Sequence, residues 1–401
     1  MKRTKIAAID VGTTKVCTVM ADIDRNDVLR VVGVGVVPSA GLQKGLVVNV
    51  NEARESIHDS VRAAERVAGY KLESAYVGIT GRHITSVNNR GVVTITRNDM
   101  LVRPDDLQRV LQVTRSVKVP SDQKLLHVIP RTYIVDGQQG IKDPVGMHGF
   151  RLDLEAHIIT AAIASVQNLT KCIRSVGIEI EDLVLEPLAS AEAVLTEEEK
   201  EKGVVLADIG GGTTDIAVFK DNTIYHTAIL PVAGYQVTRD ISIGLGLSFE
   251  LAEEMKKKYG NVTLSSKTKD EPERTLTTNG HNISYSDLSE VIRVRVEELI
   301  SLIVLELPRT DYTKFALSGL VLTGGTANLP GIAELGQELT RLPVRVGTPI
   351  NLYGVSDKLL DPAYATSVGL LLWKRRNEGA KNWQTKGGLR HFLSRVFRLF
   401  G

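Results

Sequence analysis

The chain has few of the residues that mark disulfide-rich, zinc-binding or nucleophilic proteins. Its 401 residues include only two cysteines, Cys17 and Cys172, and each lies in an apolar segment. This scarcity excludes a disulfide framework and favours buried, reduced thiols, as in a cytosolic protein. The eight histidines show no H-E-x-x-H spacing, and no G-x-S-x-G motif is present. The sequence therefore predicts neither a zinc-protease site nor a serine nucleophile of that type.

An excess of charge and long apolar runs are also missing. The net charge of +2 indicates no general affinity for polyanions such as nucleic acid. No apolar run approaches the roughly 18 residues of a membrane-spanning helix. Asp10 interrupts the first apolar stretch, which argues against a signal peptide. With 43% hydrophobic and 24% charged residues, the composition is typical of a soluble globular protein, and the length predicts two or more domains.

What the chain does have is one short phrase that occurs twice. Ile9 to Lys15 reads I-D-V-G-T-T-K, and Ala207 to Asp215 reads A-D-I-G-G-G-T-T-D. Apolar runs lie on both sides of each phrase, a pattern that predicts a strand, a tight turn and a second strand. A single such phrase would be an ordinary hairpin turn. Two of them indicate a duplicated fold.

The chemistry of both predicted turns suits a nucleotide. Glycines let backbone N–H groups approach phosphate oxygens, and threonine hydroxyls donate further hydrogen bonds. The leading aspartates, Asp10 and Asp208, repel phosphate but can hold a Mg²⁺ that sits on the phosphates, usually through water. We therefore expect the two hairpins to grip one Mg-nucleotide from opposite sides.

Three further segments extend this pattern. Leu320 to Gly331 predicts a buried strand, a glycine turn and a helix with Pro330 in its first turn. The backbone of such a Gly-Gly turn can lie flat against a base or ribose. Leu185 to Ala193 and Ala365 to Leu370 are rich in small residues and predict helices. Helices of this kind can pack closely and slide, as a hinge between two lobes requires.

In chain order, these five segments resemble the signature of the actin, sugar-kinase and heat-shock-chaperone ATPase superfamily. They match its first phosphate loop, first connecting helix, second phosphate loop, adenosine loop and second connecting helix. The resemblance covers nearly the whole chain. It implies an α/β protein with a duplicated actin-like ATPase fold: two lobes, each built on a five-stranded sheet, with Mg-ATP in the cleft between them.

Residues 82–163 distinguish the chain from other superfamily members, because their order of elements predicts an independent α+β module. Strands are expected on both sides of a turn at Asn88 to Gly91, and a helix is expected to start at Arg103 to Leu107 with Pro104 and acidic residues in its first turn. The remaining predicted strands are Leu125 to Pro130, Thr132 to Val135 and Leu152 to Thr160.

The C-terminal end is the second distinguishing feature. A polar tether, Lys374 to Lys386, leads into a segment whose apolar and basic residues separate cleanly on a helical projection. The apolar face holds Leu389, Phe392, Leu393, Val396, Phe397, Leu399 and Phe400, and the other face holds His391, Ser394 and three arginines. This pattern is typical of an amphipathic helix that lies in a membrane interface. The alternative is a helix that packs on its own domain or on a partner protein.

With these two features, the chain resembles the FtsA family of bacterial cell-division actin homologues. Its family-like phrases are Gly41 to Gly45, Gly78 to Gly81 and Ala252 to Gly260. The resemblance implies an ATP-binding, self-assembling protein that tethers the tubulin-like FtsZ ring to the cytoplasmic face of the plasma membrane at the division septum. Implied partners are the C-terminal peptide of FtsZ, further copies of the chain in filaments, anionic membrane lipids and other division proteins. Segment 263–282 is polar, and its strands cannot be placed.

The resemblance also implies roles for individual residues. Asp10 and Asp208 face the metal. The phosphates meet Gly12, Thr13, Thr14 and Lys15 from one side and Gly210, Gly211, Gly212 and Thr213 from the other. The adenosine meets Gly324, Gly325 and Asn328, with Glu253 and Lys256 at the ribose. Glu186 orients the attacking water, and Arg295 and Glu298, on a helix from about Leu288 to Leu307, receive the FtsZ peptide. Each residue taken alone could instead be part of a surface salt bridge, a turn or a helix terminus.

The implied division of the chain has five parts. They are a first nucleotide lobe (1–81, 164–193 and 366–385), the inserted module (82–163), a second nucleotide lobe (194–225 and 318–365), its smaller neighbour (226–317) and the membrane-targeting helix (386–401). Other functions stay open: a kinase or ATPase, or an actin-like relative that acts in pilus assembly. A sugar kinase needs a substrate-binding carboxylate beside the cleft, and the sequence marks none. As an enzyme, the chain is expected to be at most a slow ATPase.

Overall fold

The computed structural model describes residues 4–24, 28–263, 275–278, 281–307, 318–350, 352–354 and 357–373, and all structural statements below concern these residues. The tether and the amphipathic helix predicted at 386–401 lie outside them, as does most of segment 263–282. The strands are β1 (Thr4–Val11), β2 (Lys15–Ile23), β3 (Leu29–Pro38), β4 (Leu42–Gln43), β5 (Leu46–Val47), β6 (Ser74–Ile79), β7 (Ile84–Thr94), β8 (Gln123–Val135), β9 (Gln138–Ile141), β10 (Arg151–Ala162), β11 (Glu179–Leu185), β12 (Val204–Ile209), β13 (Thr214–Lys220), β14 (Thr223–Leu230), β15 (Thr275–Thr278), β16 (His281–Ser284), β17 (Leu320–Thr323), β18 (Val344–Val346) and β19 (Tyr353–Gly354).

The helices follow the same chain order. They are α1 (Val50–Ala68), α2 (Pro104–Arg115), α3 (Ile163–Ser175), α4 (Glu186–Val194), α5 (Glu197–Lys202), α6 (Gly234–Gly244), α7 (Phe249–Tyr259), α8 (Tyr285–Glu306) and α9 (Ile332–Thr340). Residues 365–373, here called α10, are also helical. Short 3-10 turns occur at Gly325–Asn328, Asp357–Leu360 and Pro362–Tyr364. Within the described ranges, no helix combines the length and apolar character needed to cross a bilayer.

Two sheets with matching topology confirm the duplicated α/β fold. The first has the order β11-β6-β1-β2-β3-β19 and the second the order β14-β13-β12-β17-β18. In each, an antiparallel hairpin, β1–β2 or β12–β13, is extended by parallel strands on the side of its first strand. The first sheet differs from the implied five strands because the short β19 pairs with β3 at its edge.

The small-residue helices α4 and α10 lie between the two sheets. Residues of both sheets and both helices, including Ala8, Leu188, Leu206 and Val368, share one buried cluster. The helices cross so closely that a Cβ on Gly369 would lie 1.8 Å from the carbonyl oxygen of Ala189. Only a glycine permits this approach, and it brings the polar residues of both helices to the same point.

The inserted α+β module contains a four-stranded sheet, β7-β10-β8-β9, with α2 packed on it. The turn expected at Asn88 to Gly91 is wrong, because β7 is one strand that pairs along its length with β10. Asn89 and Gly91 of this segment contact α2. Asn89 donates to the carbonyl of Thr114 (2.8 Å), and a Cβ on Gly91 would lie 2.3 Å from the Thr114 hydroxyl. The strands expected at 125–130 and 132–135 likewise join into β8, whose pairing with β10 contains irregularities.

Smaller expectations have mixed outcomes. Cys17 and Cys172 are buried and free, as expected.

Pro330 does not lie in the first turn of a helix. A 3-10 turn follows the glycine turn, and α9 begins only after Gly331, whose φ is 83°. The left-handed backbone of Gly331 separates Pro330 from the helix, and the carbonyl of Pro330 accepts a hydrogen bond from the backbone of Val262 (3.1 Å). The five-part division of the chain stays a prediction.

Candidate nucleotide site

The two predicted phosphate loops face each other across the centre of the molecule. Both turns are closed by the same backbone bond: Gly12 donates to Lys15 (3.0 Å), and Gly210 donates to Thr213 (2.9 Å). A Cβ on Gly211 would lie 2.2 Å from Thr14 Cγ2, and one on Gly212 would lie 2.5 Å from Thr13 Oγ1. The threonines of the first loop therefore pack directly on the glycines of the second. A phosphate held by both loops must move them apart.

The carboxylates of Asp10 and Asp208 are buried at the strand ends and are held by the two helices that cross between the lobes. Ser190 of α4 donates to Asp208 Oδ2 (2.5 Å), and Thr366 of α10 donates to the same oxygen (3.0 Å). Ser367 of α10 donates to Asp10 Oδ2 (2.7 Å). These three hydroxyl residues were not assigned from the sequence. Their only signal was the presence of Ser and Thr in otherwise apolar helices.

Two more buried acids, Asp215 and Glu186, complete an acidic cluster. Asp215 pairs in register with Asp208 across the second hairpin and accepts hydrogen bonds from Thr80 and Thr213. Burial and then the charge of Asp208 raise the pKa of Asp215 to about 7. Asp215 was missed as a site residue, although it closes the second repeated phrase.

The other three acids show the same direction of shift. Burial raises the pKa of Asp10 and of Asp208 above the usual carboxyl range. Burial and then the charge of Asp10 raise the pKa of Glu186 well above that range. Glu186 opens α4, as predicted, and is only 7% exposed. The positive charge of Lys15 opposes these shifts. Its ammonium donates to the carbonyl of Ala363 (2.5 Å).

This donor set fits a divalent cation such as Mg²⁺. Burial raises the pKa of both carboxyls, Asp10 and Asp208, and a nearby positive charge would lower it and favour their ionised form. No group of three His, Cys, Asp or Glu side chains is close enough to hold a metal by itself in the described ranges. Mg²⁺ usually takes one or two carboxylates and completes its shell with water and phosphate oxygens. Asp10 and Asp208 would supply the carboxylates, and the bound ion would neutralise phosphate charge.

The residues assigned to the adenosine are near the second loop but are engaged in contacts of their own. A Cβ on Gly324 (φ 84°) would lie 2.4 Å from Asp208 Oδ1, which places this turn against the carboxylate of Asp208. Gly325 opens the 3-10 turn that follows, and Asn328 at its end donates to Asp361 (2.8 Å).

Glu253 and Lys256, assigned to the ribose, form an ion pair on α7 (2.6 Å). Lys256 also donates to Thr238 and to the carbonyl of Gly234 on α6 (2.8 and 3.2 Å). Gly234 in turn donates to Gly210 in the second phosphate loop (3.1 Å). The pair therefore fixes α7 to α6 beside that loop.

Arg295 and Glu298 belong to a different place, the contact between α6 and α8. The guanidinium of Arg295 bonds both to Glu298, one turn along α8, and to Asp240 of α6. The alternative to a partner-binding role was an ion pair between Arg295 and Glu298 within one helix. This alternative is incomplete, because Arg295 also bonds α8 to α6. A partner that uses Arg295 must compete with Asp240.

Solved structures of low sequence identity share this fold. A PilM-PilN type IV pilus biogenesis complex matches with a TM-score of 0.67 at 16% identity, over 93% of this chain and 99% of that chain. MreB5 of Spiroplasma citri bound to ADP matches with a TM-score of 0.57 at 14% identity, over 95% and 98%. The chain has an actin-like ATPase fold.

Sequence comparisons then give the family. A family model described as cell division protein FtsA matches residues 205–369, and one described as the SHS2 domain inserted in FtsA matches residues 81–160. Cell division protein FtsA of Pseudomonas aeruginosa is 42% identical over 378 residues, 92% of this chain and 88% of the relative. The FtsA proteins of Bacillus subtilis and Escherichia coli K12 are 38% and 35% identical, covering 92% of this chain and 83% and 90% of the relatives. The chain belongs to the FtsA family of cell division proteins.

Proposed function

We propose that the chain is an ATP-binding, self-assembling protein that tethers the FtsZ ring to the cytoplasmic face of the plasma membrane during bacterial cell division. The observation that carries the nucleotide part is the meeting of two Asp-Gly-Thr hairpins, whose aspartates are both held by the connecting helices. Membership of the cell-division family supports the rest.

In this proposal, the two loops bind the phosphates of Mg-ATP and the nucleotide sets the angle between the lobes. The phosphates must separate Thr13 and Thr14 from Gly211 and Gly212, since these residues are in contact. Such a movement would act directly on α10, because this helix bonds to both Asp208 and Asp10. Titration calorimetry with Mg-ATP tests this step, and failure to bind would contradict it.

We propose slow hydrolysis, with Glu186 orienting the attacking water. Its carboxyl lies at the start of α4, and a cation beside the acidic cluster would favour its ionised form. Glu186→Ala should slow turnover while ATP binding stays intact. An unchanged rate would remove Glu186 from the reaction and return it to the role of a helix-terminus charge.

The membrane part of the proposal concerns residues 386–401 and rests on their sequence pattern. One helix of this kind should bind a bilayer weakly, because the free energy of ordering a tethered helix offsets much of its apolar burial. A filament presents many helices, and linked binding can raise apparent affinity about 10²–10⁴-fold. We therefore expect ATP to promote attachment by promoting assembly.

Co-sedimentation with anionic vesicles, with and without ATP and across protein concentrations, tests the avidity argument. Phe397→Glu should release the protein in both nucleotide states, whereas Ser394→Glu, a matched change on the polar face, should have a smaller effect. Tight, non-cooperative binding that ignores ATP would contradict the proposal. Retained binding of Phe397→Glu would show that residues 386–401 are not the anchor.

The proposed partner surface contains Arg295 and Glu298 on α8. Arg295→Glu should weaken binding of a labelled FtsZ C-terminal peptide in fluorescence anisotropy without changing ATP affinity. Because Arg295 also bonds Asp240, Asp240→Asn is the matched control for loss of the α6–α8 contact. Equal loss in both variants would indicate a structural role, and no loss in Arg295→Glu would remove the residue from the surface.

A further inference from the structure

His83 is an anomaly beside the proposed hydrolytic residue. Neither its Nδ1 nor its Nε2 has a hydrogen-bond partner in the described part of the chain, although both atoms are buried. Burial lowers the pKa of His83 to about 4, so the ring is neutral at physiological pH. A neutral imidazole offers one N–H donor and one acceptor. A buried donor and a buried acceptor that stay unsatisfied are both unfavourable, which points to a partner such as water.

The ring shares a small cavity with the side chain of Glu186. This cavity lies beneath the first phosphate loop, and its lining also includes Val11, Thr80 and Ser165. Its volume is about 10 Å³, which is room for about one water molecule. Thr80 is already bonded to Asp215. Glu186 and His83 are therefore the two titratable groups that a water in this cavity meets.

Two glycines of one segment bring these side chains together. A Cβ on Gly78, at the end of β6, would lie 3.3 Å from Glu186 Oε1. A Cβ on Gly81, whose φ is 128°, would lie 2.9 Å from Nδ1 of His83. Because both positions are glycines, the carboxyl of Glu186 can pack against Gly78 and the imidazole of His83 can pack against Gly81.

We propose that His83 is a positioning residue for Glu186, joined to it by one water in the cavity beneath the first phosphate loop. The backbone carbonyl of His83 accepts from Ala162 (3.2 Å), where the first and last strands of the inserted module leave the nucleotide lobe. His83 therefore connects the root of that module to the residue that orients the attacking water. The kinetic consequence rests on the hydrolysis proposed above, but the contact itself does not.

The contact is tested by nitrogen NMR of the full chain with ¹⁵N-labelled histidine, in which the His83 signal is assigned by its loss in His83→Asn. Glu186→Gln should shift the ring nitrogens of His83, because the shared water then meets an amide in place of a carboxyl. An unshifted His83 signal overturns the proposal. This measurement needs no nucleotide and no turnover.

The role is tested by steady-state ATP hydrolysis. His83→Phe should lower kcat about tenfold, within the range seen when residues that orient a reacting group are lost. It should leave KM unchanged, because His83 is not among the residues proposed to hold the nucleotide. His83→Asn keeps a donor and an acceptor and should restore much of the rate. Leu169→Val is the matched control, since it alters an apolar residue of the same cavity and should keep kcat.

A wild-type kcat in His83→Phe, or a failure of Asn to improve on Phe, overturns the positioning role. If the wild-type chain hydrolyses no ATP, the proposed hydrolysis fails instead, and the NMR comparison alone decides whether His83 and Glu186 are joined.

Discussion

The two phosphate hairpins have the same length and the same closing hydrogen bond, yet they differ at every functional position after the first glycine. Thr13 and Thr14 of the first hairpin correspond to Gly211 and Gly212 of the second. The residue paired with Asp10 is Cys17, whereas the residue paired with Asp208 is Asp215. The threonine side chains of the first hairpin fit against the glycine backbone of the second. The additional acidic residue, Asp215, belongs to the second hairpin.

The hydrogen bonds to the two aspartates differ as well. Asp208 accepts from both connecting helices, through Ser190 and Thr366, whereas Asp10 accepts from Ser367 of α10. The second hairpin is therefore the one bonded directly to both α4 and α10 through its aspartate. This asymmetry shows how a duplicated fold can place complementary rather than identical surfaces around one ligand.

The largest expected effect is the loss of a carboxylate that is proposed to face the metal. Asp208→Ala and Asp10→Ala should each weaken Mg-ATP binding about 10–100-fold, since charge-assisted contacts contribute about 1.5–3 kcal/mol. Asp208→Ala should also lower the melting temperature more, because it leaves two buried hydroxyls without their acceptor. Calorimetry and thermal unfolding measure both. In EDTA the two variants should lose no ATP affinity relative to wild type, and unchanged affinity with Mg²⁺ would show that the hairpins are not the nucleotide site.

The next test removes the acidic excess of the second hairpin. The pKa of Asp215 is about 7 in the folded chain, above the value of about 4 for a free carboxyl, so the folded state binds this proton more tightly. The stability that the folded chain gains from binding the proton of Asp215 is fully present below about pH 4. This stability is lost as the pH rises towards about 7.

Without Mg²⁺, Asp215→Asn should therefore raise the melting temperature at about pH 8 by a few degrees, at about 1–2 °C per kcal/mol for a chain of this length. The gain should shrink as the pH falls to about 6. The amide oxygen of the introduced asparagine can still accept from Thr80, and its NH2 group can donate to the hydroxyl of Thr213, so the substitution removes the charge and reverses one hydrogen bond. If the melting temperatures of the wild type and of Asp215→Asn changed in parallel with pH, the raised pKa of Asp215 would be contradicted.

A smaller effect tests the fit between the loops. Gly211→Ala should destabilise the nucleotide-free protein by about 1–3 kcal/mol, the usual cost of overpacking, because the new methyl meets Thr14 Cγ2. Adding Thr14→Ala removes that methyl and should recover part of the loss. The four proteins form a double-mutant cycle, read by denaturant unfolding. Strict additivity would show that the loops do not touch.

The smallest expected effect compares the hydroxyls that bond to Asp208 with the hydroxyl that bonds to Asp10. Ser367→Ala should cost more stability than Ser190→Ala, by about 1 kcal/mol, because Thr366 remains on Asp208 after Ser190 is lost, whereas Asp10 loses the hydroxyl found on it in the described residues. Thermal unfolding without nucleotide compares the two. The reverse order would mean that Asp208, and not Asp10, depends on a single donor.

Several features of the site lay beyond the sequence because they depend on where distant segments cross. Ser190 and Thr366 are 176 positions apart, and their hydroxyls lie 3.0 Å from each other. The polar run Asn88 to Gly91 resembles a turn locally, but packing against Thr114 of α2 keeps it in a strand. His83 gave no signal either, since its burial depends on the closing of the cavity around Glu186.

By itself, the sequence determined the duplicated hairpins, the connecting helices and the family, because glycine turns between apolar strands and small-residue helices are encoded within a few neighbouring positions. The tertiary structure alone decided which hydroxyls hold Asp10 and Asp208, that Asp215 joins the acidic cluster, and that the two loops touch. The physical reason is that hydrogen bonds, burial and charge repulsion depend on distances between segments, which no local pattern specifies.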